Sequence, residues 1–434
     1  MTKKYNFMKK LATVFVVLIT ILSMVVMPAA QACSRLVYQG SSGPITARSM
    51  DWFHDPEAEL WFFPAGESRT GGAGPNSITW TSQYGSIITS SYDIATVDGI
   101  NDQGLVANLL FLAETDYGDI GPCDPTLSVG GWGQYVLDNY ANVAEAVEGL
   151  EQKSFKIVTT TLNELASSSS TLRPGSIPGW VLSFSDGHGG TMGDANFALH
   201  MALSDRTGDS AIIEYLGGEM IVHHKKTDDE NTSAKYNVLT NDPTFEEQLA
   251  INSYWNSLYA NLEGTIGLFL PGTSSPSDRF IRASYYLDKM GPRLAAEKKL
   301  ELKASGIILN KDQERRSELA AALGIIRNVS DPIGLDGFGI GTTQWRTLAN
   351  QSLPTDEKVS DDPSATYFFE FTENPSVVWA DINKLAEQGV VSNFDSINNP
   401  FLSGNVSELF VEQEDPFSWD ISCTLNNSCL ISPK

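Results

Sequence analysis

The chain has 434 residues, is 41% hydrophobic and carries a formal net charge of −24. That length and composition can bury a large core in one big domain or two modest ones. The acidic balance argues against a nucleic-acid-binding surface, while leaving the sign of a small-molecule site open, because a local field need not follow net charge.

Residues 1–32 read as a cleaved signal peptide. Lys3, Lys4, Lys9 and Lys10 precede an apolar run from Leu11 to Met27, followed by Pro28 and the small-residue junction Ala30-Gln31-Ala32. A cut after Ala32 makes Cys33 the first residue of the mature chain. No second apolar run approaches membrane length, so the mature protein is expected in the periplasm or outside the cell with no stable membrane anchor. A lipoprotein would also begin with cysteine, but residues 30–32 lack the leucine usual three places before it.

From Cys33 the stretches "CSRLVYQ" and "ITARSM", joined by "GSSGP", predict a hairpin that opens the fold. "SIITSSYD" and "GLVANLLFL" follow as strands. "WGQYVLDNYANVAEAVEGLEQ" has helical periodicity and divides naturally near Ala141. Residues 165–195, rich in Ser, Gly and Pro, read as an inserted loop. "SAIIEYLGGEMIVHH" predicts a hairpin turning at Gly-Gly, and "KYNVLTN" another strand. "SDRFIRASYYLDKM" and "ERRSELAAALGIIRNVS" are helical, and "TYFFEFTENPSVVWADI" returns to strand. The pattern is α+β, with one domain over 33–385 and an acidic, turn-rich strap over 386–434.

Cys423 and Cys429 are spaced to close a small disulfide loop in an oxidising compartment, and Cys123 in "GPCDP" reads as a loop thiol. The five histidines show no metal-ligand spacing, and His223-His224 on a strand would point to opposite faces. No phosphate loop or dinucleotide fingerprint is present, so neither metal nor cofactor is expected.

An N-terminal cysteine carries a free α-amine a few ångströms from its own sulfur. With reference pKa values of about 7.7–8.0 for the amine and about 8.5 for the thiol, one residue can supply both nucleophile and base. Arg48 and Asp51 lie on the strand that should pair with Cys33, offering a guanidinium for a thiolate and a carboxylate for an ammonium. Their spacing of three puts them on opposite faces of a regular strand, so the strand must bend or end between them if both are to face the sulfur. An ordinary solvated pair is the competing reading.

The ordered series "CSRLVYQ…ITARSMDW", "TVDGINDQGLVANLLFL", "YNVLTNDPTFEEQL" and "LPGTSSPSDRFIRASYY" closely resembles the choloylglycine hydrolase family, which contains penicillin V acylases and conjugated bile salt hydrolases. The resemblance runs from Cys33 to about Lys384. It implies an N-terminal-nucleophile hydrolase, an αββα sandwich of two antiparallel sheets between helical layers, with a homotetramer as the assembly. The family's nucleophile falls on Cys33, its arginine and aspartate on Arg48 and Asp51, its oxyanion asparagine on Asn241 and its second arginine on Arg279. A further position, asparagine in bile salt hydrolases and aromatic in many penicillin acylases, falls on or beside Phe111.

A backbone N–H at Phe111 can still donate to an oxyanion, and its ring, with Trp52, suits an apolar acyl slot; ordinary core packing is the competing reading for both. The wording around "MDW" and "GLVANLLFLAE" looks most like the Gram-negative branch of the family, which acts on penicillin V and N-acyl homoserine lactones. The substrate implied is therefore a small N-acyl amide. A conjugated bile salt hydrolase is the alternative enzyme, and an exported non-catalytic binding protein or lipoprotein the alternative of another class.

Overall fold

The computed structural model describes residues 33–41, 43–168, 177–183, 190–224, 233–262, 270–332, 341–352, 367–374 and 376–414. The signal-peptide segment, part of the 165–195 loop, and Cys423 and Cys429 lie outside the described residues.

Strands β1 (Ser34–Gly40) and β2 (Gly43–Trp52) pair in an antiparallel hairpin, in register from Ser34 opposite Ser49 to Gly40 opposite Gly43. Gly43 closes the turn at φ +113°, a conformation that favours glycine. Nearly every residue of both strands is buried, because the hairpin lies inside a sheet covered on both faces. That sheet runs Val238–Thr240, β1, β2, Thr342–Asn350, Tyr367–Phe371, Val377–Ala380 and Gly404–Asn405, antiparallel except for the last pair.

A second, antiparallel sheet runs Glu219–His224, Ser210–Leu216, Leu199–Ser204, Val106–Phe111, Ala95–Asn101, Ser86–Ser91, Leu60–Phe63, Ser392–Phe394 and Val411–Glu412. The Gly-Gly turn appears as expected, with Gly217 and Gly218 at φ +59° and +84°. The segment from 386 onward adds strands to both sheets.

Strand Val106–Phe111 shows how two layers are built from one period-2 pattern. Val106 and Leu110 join the cluster between the sheets, whereas Ala107 and Leu109 join the cluster beneath the outer helices. Those helices are Val129–Asn139, capped by Ser128, and Val143–Glu151, capped by Asn142; the break falls at the predicted place. On the other side, helices Phe245–Leu262, Pro276–Tyr285 and Lys311–Asn328 cover the first sheet through Phe245, Phe280, Leu319, Ala322 and Ile326. Together these layers make the αββα sandwich.

One expectation is corrected. Cys123 is disulfide-bonded, not a loop thiol.

Candidate active site

Cys33 immediately precedes β1 and is buried, with 3% of its surface exposed. Its Sγ lies 3.7 Å from Met50 Sδ and 3.7 Å from the Asp51 carbonyl oxygen. Arg48 Nη2 approaches that sulfur to 3.9 Å while donating to Met50 Sδ at 2.9 Å and to the Leu109 carbonyl at 2.8 Å. Leu109 belongs to the second sheet, so Arg48 reaches the sulfur from the gap between the sheets.

Asp51 is on the other face of β2. It accepts a short hydrogen bond from Thr343 Oγ1 and stands 3.9 Å from Arg279 Nη1. β2 does not end between Arg48 and Asp51 but continues through Trp52, and its pairing is irregular opposite Met50 and Asp51, where the neighbouring strand carries an extra residue between Thr343 and Trp345. Cys33 sits at the end of β1, where Arg48 meets the sulfur from one face and the Asp51 side chain lies on the other. Strand alternation places the two groups on opposite faces.

Arg279, from the second turn of helix Pro276–Tyr285, gathers the rest. Nη1 donates to the Cys33 carbonyl at 2.7 Å and to Ser34 Oγ at 2.6 Å; Nη2 donates to Asn241 Oδ1 at 3.3 Å; Nε donates to the Ser274 carbonyl at 2.9 Å. Asn241 follows strand Val238–Thr240, which pairs with β1. Its Nδ2 donates to the Phe111 carbonyl at 2.9 Å, which commits one amide hydrogen and leaves the other. Next to it, Asp242 Oδ1 accepts from the Ala113 N–H at 2.7 Å, tying together the two loops that carry Asn241 and Phe111.

Electrostatics at the site are dominated by burial. Burial pushes the Cys33 thiol up, against the pull of Arg48, with Asp51 adding to the rise. The Asp51 carboxyl is raised to about 7, first by burial, with Arg279 pulling down and Asp331 pushing up. The Cys33 thiol and the Asp51 carboxyl both resist ionisation here.

Trp52 shares the apolar cluster that includes Cys33. Its indole Nε1 donates to Tyr92 Oη at 2.8 Å, and its ring stacks on Phe197 with centroids 6.3 Å apart. Ile177, Val181 and Met192, from the segment read as an insertion, belong to the same cluster. Phe111 is partly exposed at the end of its strand.

All five polar residues named from sequence therefore meet, and Phe111 joins them through its carbonyl. Sequence reasoning missed Met50, Thr343 and Ser34. Ser34 is adjacent to Cys33 and Met50 alternates with Arg48, so both were within reach of a strand argument; Thr343 arrives from 292 residues away and had no local signal.

A cysteine at the start of a buried inner strand, gathered with two arginines, an aspartate and an asparagine within an αββα sandwich, fits the class of N-terminal-nucleophile-hydrolase folds. Residues 33–172 and 190–317 match the profile of linear amide C–N hydrolases, choloylglycine hydrolase family. The chain belongs to that family. It is 39% identical over 372 residues to penicillin V acylase from Pectobacterium atrosepticum, covering 82% of each chain. The solved structure of penicillin V acylase from Agrobacterium tumefaciens is similar with a TM-score of 0.65 at 37% identity, covering 89% of this chain and 98% of that one. A variant of conjugated bile acid hydrolase from Clostridium perfringens shares the fold, with a TM-score of 0.54 at 20% identity, over 81% and 93% of the two chains.

Proposed function

We propose that removal of residues 1–32 on export to the periplasm or beyond makes Cys33 the nucleophile of an N-acyl amide hydrolase of the penicillin V acylase kind, with N-acyl homoserine lactones as a second substrate class. The observation that carries this reading is the Arg279 clamp, in which one guanidinium holds the Cys33 carbonyl and the Asn241 side chain beside Asp51.

In this mechanism the Cys33 α-amine takes the thiol proton as sulfur bonds to the amide carbonyl carbon. Asn241 Nδ2 and a backbone N–H near Phe111 receive the oxyanion, each donor worth roughly 3 kcal/mol of barrier. The C–N bond then breaks as the α-ammonium returns the proton to the leaving amine, and water hydrolyses the thioester to acid and free thiol. Asp51 orients the ammonium; in support, its Oδ2 accepts no hydrogen bond among the described residues, although the carboxyl is fully buried. The ring wall of Trp52 and Phe197 suits an apolar acyl group.

Export of the full chain, intact-mass measurement and an assay of amine release from penicillin V and a long-chain N-acyl homoserine lactone test this. The expected result is a chain starting at an unmodified Cys33, with turnover that disappears in a folded Cys33→Ala variant. A chain starting elsewhere, acylated on Cys33, or equally active without the sulfur would overturn the reading.

A further inference from the structure

Helix Phe245–Leu262 begins just after Asn241, and Gln248, fully buried in its first turns, turns its carboxamide back on the loop that carries that asparagine. Nε2 donates to the Asn241 carbonyl at 2.7 Å, to the Pro243 carbonyl at 2.6 Å and to the Thr240 carbonyl at 3.3 Å. Oε1 accepts from the Thr240 N–H at 3.2 Å and from Thr240 Oγ1 at 3.1 Å. A single side chain therefore bonds the backbone on both sides of Asn241, from the last strand residue Thr240 to Pro243, before helix bonding has begun.

The base of that grip is itself fixed. Glu214, buried on strand Ser210–Leu216, accepts from the Phe245 N–H at 2.9 Å through Oε1, which His200 Nδ1 also approaches at 3.3 Å, and Oε2 meets His223 Nε2 at 3.0 Å. The helix start is thus moored to the second sheet, and Gln248 carries that mooring to the loop. Arg279 and the Phe111 carbonyl orient the Asn241 side chain, but neither bonds to its backbone; that is done by Gln248.

We propose that Gln248 is a positioning residue for amide hydrolysis, acting through Asn241: by fixing the backbone of the loop, it aims the Asn241 amide at the oxyanion. This rests on the function proposed above. An oxyanion donor is used most in the transition state, so displacing it lowers kcat and leaves KM and the chemistry of the free thiol alone.

The test is a double-mutant cycle with penicillin V as substrate, using Gln248→Leu and the isosteric Gln248→Glu, each alone and combined with Asn241→Ala. Gln248→Glu keeps an acceptor for Thr240 and exchanges two N–H donors for at most one O–H; the circular-dichroism spectrum and urea midpoint of each variant separate a lost fold from a lowered kcat. The expected result is a fall in kcat of about tenfold or more, within the about 10²-fold range of a lost oxyanion donor. KM and the rate of Cys33 alkylation by iodoacetamide stay unchanged, and no further loss appears once Asn241 is Ala. An unchanged kcat, or the same loss with and without Asn241, would overturn the proposal. If the parent shows no turnover, the functional reading fails and Gln248 is decided separately by NMR. The Asn241 side-chain amide resonance, identified by its absence in Asn241→Ala, moves in Gln248→Glu if the proposal holds; an unmoved resonance rejects it.

Discussion

Asp51 is a buried carboxyl whose environment would change on the proposed cut before Cys33. In the uncut chain its pKa of about 7 compares with about 3.9 in an unfolded chain. A raised carboxyl favours its protonated form, so the associated stability is complete below about pH 4 and is lost as pH rises through 7. An uncut chain, with the Ala32 junction blocked, is therefore expected to lose urea resistance between about pH 4 and about pH 7. A chain cut before Cys33, as proposed, would bring an α-ammonium to Asp51 and should lose less over the same interval; equal losses would mean that the amine does not reach the carboxylate. Residues of this kind were legible because a hairpin brings Cys33, Arg48 and Asp51 together from one short segment. Asn241 and Arg279 had no such local argument, since a turn asparagine and a helical arginine are commonplace, and only the resemblance assigned them. Gln248 was invisible because its partners are backbone atoms, which leave no mark on residue type.

Helices and strands were read where apolar period and turn chemistry agreed. Helix Val129–Asn139 and its successor separate at Tyr140–Asn142, where an extended residue meets an asparagine cap. Helix Phe245–Leu262 did not appear in the sequence reading, because its aromatic and polar residues do not fall into a clear apolar stripe. The "GGWG" opening of Val129–Asn139 has a tertiary cause. A Cβ at Gly133 would stand 2.7 Å from the Thr96 carbonyl oxygen, and one at Gly130 would stand 2.7 Å from that of Ile94. The obstacles are backbone atoms of, or just before, strand Ala95–Asn101, which cannot rotate away as a side chain would. Gly133→Ala is expected to cost about 1–3 kcal/mol as an overpacking change, despite the better helix propensity of alanine. A lower urea midpoint at unchanged slope would show it, and a neutral or stabilising result would mean that the helix can lift off the sheet.

At the scale of the whole molecule, the space between the sheets is crossed by polar bridges as well as apolar packing. Arg35 of β1 donates from Nη2 to the Leu203 carbonyl at 2.9 Å and from Nη1 to Ser210 Oγ at 3.1 Å and the Tyr236 carbonyl at 3.0 Å. Thr46 meets Ser204 at 2.7 Å, and Thr89 meets Tyr367 at 2.8 Å. Each bridge fixes one sheet's position on the other, and hence the approach of Arg48 to the sulfur. Arg35→Met fills a similar volume but leaves the Leu203 and Tyr236 carbonyls to share the single Ser210 hydroxyl proton, which reaches them at 2.9 and 2.8 Å, at about 1–3 kcal/mol for the one left unsatisfied. We expect a matching fall in unfolding free energy by urea titration; a loss under about 0.5 kcal/mol would mean that the sheets are held by apolar contact alone.

The hairpin that carries Cys33 is an early product of synthesis, yet it lies inside its sheet. Its outer neighbour on one side, Val238–Thr240, is made some two hundred residues later, and its neighbour on the other, Thr342–Asn350, about three hundred residues later. At ordinary translation speeds of about 5–20 residues per second, the edge of β1 waits unpaired for roughly 10–40 seconds and the edge of β2 for roughly 15–60 seconds. Such edges invite pairing with other nascent chains. Refolding yield is therefore expected to fall as protein concentration rises, because open hairpin edges on different chains then meet before the later strands close them.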